Sequence, residues 1–133
     1  MSSKKPKKEH KKMSFKRFLL SFKYSWDGIK YAYANEQSLR MHGIGSILII
    51  IIGLLLHISF TEWLALIISS VMVLVIELLN TAIEHTVDLV TKEFHPLAKI
   101  AKDCGSAAGG IAGITMAIVA LAIFIPKVIA LFK

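Results

Sequence analysis

"MVLVIELLNTAIEHTVDLV", Met72 to Val90, begins as a run suited to the interior of a bilayer and then admits Glu77, Asn80, Glu84 and Asp88. A charged side chain at the centre of a membrane helix costs about 2.5–3.5 kcal/mol to insert, so a segment with three acids and an amide keeps them for some use that offsets the cost. At about 100° per residue, with Glu77 at zero, Asn80 falls near −60°, Glu84 near −20° and Asp88 near +20°. All four therefore share one helical face. Solvation at a helix end accounts for Asp88 and for Glu84, but Glu77 lies about 16 Å deeper along the axis than Asp88. Helix-to-helix hydrogen bonding is a second structural explanation, although one amide suffices for it and acids are an expensive choice.

The rest of the chain frames this stretch. At 133 residues it is one domain's worth, and a 55% hydrophobic content with a mean hydropathy of +0.62 exceeds what a water-soluble domain of this size can hide. These totals predict an all-α integral membrane protein. The single cysteine, Cys104, excludes an intramolecular disulfide and a Cys-rich metal site, and its small, apolar surroundings read as inert packing.

The net charge is +7, and 11 of the 16 Lys and Arg fall within residues 1–40. The basic tail 1–13 reads as a disordered arm attracted to anionic lipid headgroups, at about 1 kcal/mol per charge. A secretory signal is not expected, since no apolar run follows immediately, and no folded nucleic-acid-binding module accompanies the charge. Residues 14–35 carry Phe15, Phe18, Leu19, Phe22, Trp26 and Ile29 every three or four positions among Lys and Arg. That spacing predicts an amphipathic interfacial helix.

Residues 36–133 then hold three predicted spans, at about 38–58, 63–90 and 103–126, the first long enough at about 1.5 Å per residue to match the ~30 Å hydrocarbon core. The 58–62 turn carries no Lys or Arg, whereas the 91–103 connector holds Lys92, Lys99, Lys102 and Pro96 and is expected to break the helix. Loop charge therefore puts the N-terminus and the 91–103 connector on the cytoplasmic side, with Lys127 and Lys133 a mild objection on the other. Pro126 is expected to end or kink the third span. Within that span Gly105, Gly109 and Gly113 repeat every four residues, a stripe of the kind that lets helices approach closely in lipid. A phosphate-binding glycine loop is not indicated, because no G-x-x-x-x-G-K-[ST] pattern occurs.

Two functions fit the acidic face. Hard oxygen ligands suit Mg²⁺ with a nucleotide phosphate, or the acids form a proton or ion relay in a small transporter. Lys102 and Asp103 near the level of Asp88, with Glu36, Arg17, Arg40 and Lys99 on the same expected side, favour the first, since phosphoryl transfer needs carboxylates for metal and cations for phosphates together.

"ELLNTAIEHTVD", Glu77 to Asp88, resembles the signature of the prokaryotic diacylglycerol kinase and undecaprenol kinase family, E-x-[apolar]-N-[ST]-[AS]-[apolar]-E-x-x-[VL]-D. "YSWDGIKYAYANE" with Arg40, "KEFHPLAKIAKD" and "GSAA" from Gly105 extend the similarity over nearly the whole chain after the tail. The resemblance implies a lipid kinase in the bacterial plasma membrane, a homotrimer of three-span subunits with an N-terminal surface helix, using ATP as co-substrate and Mg²⁺ as cofactor. By resemblance Glu77 is the catalytic base, Asn80 orients Glu77 or a phosphate, and Glu36 and Glu84 are Mg²⁺ ligands. Arg17, Tyr24, Glu93, His95, Lys102 and Asp103 match ATP-holding positions alongside them, while Ser106 and Arg40 match positions on the lipid substrate. "LRMH" ending at His42, "HPLAKIAKD" with Pro96 and the lysine-rich tail resemble the undecaprenol branch of Gram-positive bacteria, the diacylglycerol branch usually having an acid at the positions of His42 and Pro96. Undecaprenol is the expected substrate, with diacylglycerol as the alternative. The remaining histidines read as tail (His10), interface (His57) and a neighbour pointing away from the acidic face (His85). Neither His42 nor His95 has zinc-ligand partners at suitable spacing.

Overall fold

The computed structural model describes residues 14–132, so the basic tail 1–13 and Lys133 lie outside it. Four helices follow in order: α1 (Phe15–Asn35), α2 (Gln37–Leu55), α3 (Phe60–Val90) and α4 (Pro96–Leu131). The last three are each long and apolar enough to cross a membrane. At about 1.5 Å per residue α2 is ~28 Å long and matches the hydrocarbon core, whereas α3 and α4, at ~46 and ~54 Å, must project beyond it.

The connections are tighter than composition suggested. Glu36 alone, in extended conformation (φ −99°, ψ 121°), separates α1 from α2. His57 adopts a left-handed φ of 48°, and the Ile58 N–H reaches back to the Gly53 carbonyl at 3.3 Å, which closes α2. Ser59 then opens α3 in a capping box, its hydroxyl accepting from the Glu62 N–H while the Glu62 carboxylate accepts from the Ser59 N–H at 2.6 Å.

The connector expected over 91–103 shrinks to 91–95, because Pro96 starts α4 rather than breaking a helix. Proline has no N–H to lose at the first helical position, and the His95 Nδ1 accepts from the Leu97 N–H at 3.2 Å to complete the cap. Nor does Pro126 stop the third span: α4 runs through it to Leu131, the lost backbone bond being tolerated where the rest of the ladder is satisfied.

Packing is dominated by α3 against α4, with α2 laid more lightly along both and α1 touching α2 and α3. Leu66, Val73, Ile49, Ile58 and Met116 form the core, flanked by Trp63. Gly53 permits the α2–α3 approach there, since a Cβ would lie 2.8 Å from the Trp63 ring. Outside this seam Ile44, Ile47, Ile67, Ile68, Ile111 and Ile118 are exposed, a surface suited to lipid. Cys104, expected to pack inertly, is also exposed. At the end of the bundle holding the α2–α3 turn, Lys127 pairs with Glu62 at 3.1 Å and ties α4 to the start of α3.

Candidate functional site

The other end of the bundle holds the polar residues. Glu77 is 6% exposed, although it belongs to an apolar helix. Its partners come from α2: the Ser38 hydroxyl donates to Oε2 at 2.7 Å, and the His42 Nε2 lies 3.5 Å from Oε1. These contacts also fix its depth. Ser38 and His42 stand in the first two turns of α2, the helix whose length just spans the core, so Glu77 is level with the end of the apolar slab rather than its middle.

The glycine stripe of α4 has a different task from the backbone approach it suggested. Gly105, Gly109 and Gly113 face Asn80, Glu77 and His42 respectively. A Cβ on Gly109 would sit 2.8 Å from the Glu77 Oε1, one on Gly113 would sit 3.2 Å from the His42 ring, and one on Gly105 would collide with the Asn80 Oδ1. The three glycines are successive hollows that receive polar side chains from α3 and α2.

Asn80 donates from Nδ2 to the Glu84 Oε1 at 3.1 Å, and its buried Oδ1 has no partner among the described residues. Glu84 is half-buried, as is Glu36 at the α1–α2 junction. Among the described residues no three His, Cys, Asp or Glu side chains gather as a metal cluster. Glu84 and Glu36 offer carboxylate oxygens, the hard donors of which Mg²⁺ takes one or two beside phosphate oxygens and water.

Beyond Glu84, a cleft of about 490 Å³ opens between the end of α3, the 91–95 loop and the start of α4. Glu93, His95, Lys102 and Asp103 line it together, with Asp88 and Lys99. Lys102 reaches Asp88 at 2.5 Å across α3 and α4, and Lys99 pairs with Asp103 along α4. Both pairs are well exposed, so they hold cations at the cleft mouth without adding much stability.

Other expected site residues do not line this cleft. Arg17 and Tyr24 are exposed on α1, and within the described chain no hydrogen bond or ion pair joins them to the cleft. Arg40 donates from Nη1 to the Ala34 carbonyl at 3.1 Å, bracing the α1–α2 junction. Ser106 is exposed on α4 beside Gly105. His85 points away from the acidic face and meets the Tyr31 hydroxyl at 2.8 Å, joining α1 to α3. Sequence reasoning missed Ser38 as a site residue and saw His42 only as a branch marker. Their four-residue separation on α2 was the available signal, since it puts both on one face.

Apolar membrane-length helices enclosing a buried carboxylate, with a charged cleft at the same end, define an all-α integral membrane protein with a polar site near one membrane face. Residues 23–124 match the family of prokaryotic diacylglycerol kinases. The chain is 38% identical over 120 residues to the undecaprenol kinase of Bacillus subtilis, covering 90% of this chain and 97% of that one. It is 37% identical over 130 residues to a diacylglycerol kinase of Synechocystis sp., covering 97% and 74%, and 43% identical over 98 residues to one of Helicobacter pylori, covering 74% and 77%. The chain belongs to the prokaryotic diacylglycerol kinase family and is a lipid kinase.

Proposed function

We propose that the protein transfers the γ-phosphoryl group of ATP directly to the hydroxyl of undecaprenol, giving undecaprenyl phosphate. The observation that carries this reading is the buried Glu77 carboxylate, held level with the end of the apolar slab, where a lipid hydroxyl resides. Its Oε1 lies in the hollow at Gly109 and 3.5 Å from the His42 Nε2. Glu77 accepts the alcohol proton as the alcohol oxygen attacks phosphorus in line, and ADP leaves.

Asn80 orients the neighbouring carboxylate, Glu84. Glu84 and Glu36 are the residues that would hold Mg²⁺, which when bound neutralises charge on the phosphates. Lys102, Asp103, Glu93 and His95 bind ATP in the cleft, and Arg17 and Tyr24 on α1 complete the nucleotide site, while Ser106 and Arg40 contact the lipid. The reading includes a homotrimer with sites between subunits, as the family resemblance implies, and an amphipathic α1 lying in the interface. The N-terminus and the cleft face the cytoplasm. Lys127, the described charge that counts against this orientation, pairs with Glu62.

His42 beside Glu77, where the diacylglycerol branch has an acid, supports undecaprenol. Diacylglycerol is the second reading, favoured by the relatives named diacylglycerol kinase. Purified protein given labelled ATP, Mg²⁺ and the two lipids in parallel is expected to label undecaprenol preferentially, and Glu77→Gln is expected to bind ATP but transfer no phosphate. Label only in phosphatidic acid would replace the substrate. Near wild-type turnover by Glu77→Gln would remove the base.

A further inference from the structure

A carboxylate has two chemically equivalent oxygens, yet the surroundings of Glu77 are unequal. Oε2 accepts the Ser38 hydroxyl hydrogen bond at 2.7 Å. Oε1 faces the Gly109 hollow and stands 3.5 Å from the His42 Nε2. The terminal torsion of a glutamate is broad and two-fold, so a carboxylate with no fixed partners rocks and exchanges its oxygens. Here the two partners sit one turn apart on α2 and straddle the group. The imidazole lies close against α4, since a Cβ added at Gly113 would be 3.2 Å from its Cε1.

We propose that Ser38 and His42 are positioning residues that assign different work to the two Glu77 oxygens, Ser38 occupying Oε2 and His42 holding Oε1 toward the alcohol. The inference rests on Glu77 being the base of the proposed reaction. In that reaction the lipid O–H bond breaks and its proton passes to Oε1. The alcohol oxygen bonds to the γ-phosphorus, and the bond to the β–γ bridging oxygen breaks, its electron pair leaving with ADP. Neither Ser38 nor His42 exchanges a proton with the substrate. Their effect is to keep one oxygen in the attack geometry, where small misplacements have large rate consequences.

The test compares full-length His42→Gln, His42→Leu and Ser38→Ala with wild type in lipid micelles containing undecaprenol, reading kcat and the KM for ATP. A polar positioning role predicts that His42→Leu lowers kcat by about tenfold or more, with an unchanged KM for ATP, and that His42→Gln recovers most of the loss. Ser38→Ala, which removes one hydroxyl and leaves packing intact, is expected to lower kcat about fivefold or more. The Ser38→Ala/His42→Leu double variant should lose less than the product of the single losses, since both act through one carboxylate. Wild-type turnover in His42→Leu, equal losses in the Leu and Gln variants, or wild-type kcat in Ser38→Ala would each overturn the proposal. If His42→Leu does not assemble, Ser38→Ala alone decides. Absence of labelled lipid from the wild type in the same assay would instead sink the proposed transfer to undecaprenol beneath it.

Discussion

Gly109→Ala places one methyl group against the oxygen on which the proposed chemistry depends. The new Cβ would lie 2.8 Å from the Glu77 Oε1, about 0.6 Å inside ordinary van der Waals contact, so the carboxylate must move by about that much. Alanine gains about 1 kcal/mol of helix propensity over glycine, and overpacking a tight site costs about 1–3 kcal/mol. The net change is a loss of about 0–2 kcal/mol, small enough for the helices to stay assembled. Catalysis should suffer more, because a displacement of this order at a reacting group lowers rate by about 10- to 100-fold. Gly110 supplies the comparison one position along: a Cβ there meets nothing within 4 Å among the described residues, and Gly110→Ala should keep its activity. Transfer of γ-phosphate label to the organic phase, alongside thermal unfolding, separates the two effects. A folded Gly109→Ala protein with wild-type turnover, or equal losses in both variants, would refute the reasoning.

Asp88→Asn removes the anion that Lys102 reaches across the cleft. It should change stability by less than about 1 kcal/mol, because the pair is exposed, while altering the KM for ATP more than kcat; titrating ATP against initial rate checks this. Ser59→Ala deletes the capping box at the far end of α3 and should cost about 1 kcal/mol, read as a lowered unfolding midpoint, with kcat unaltered.

The positions of the apolar helices were legible from hydropathy, and the common face of Glu77, Asn80, Glu84 and Asp88 from helical period, because both are local properties. Helix ends were less so. Pro96 reads equally as a breaker or as a first helical residue, and only the His95 cap, made after the loop has folded, distinguishes them. Gly105, Gly109 and Gly113 announced a close approach without saying what approaches.

What the amino-acid order determined by itself was a membrane-spanning all-α chain with an acidic stripe and the residue signature of a lipid kinase family. The tertiary structure decided which groups that stripe meets: Ser38, 39 residues away in sequence, and His42 from α2, and the three hollows of α4 that receive Asn80, Glu77 and His42. The physical reason is that these contacts depend on the axial register and rotation of one helix against another. Packing of Leu39, Leu66, Val73 and Met116 along the seams sets that register, and neither propensity nor periodicity within a single helix encodes it.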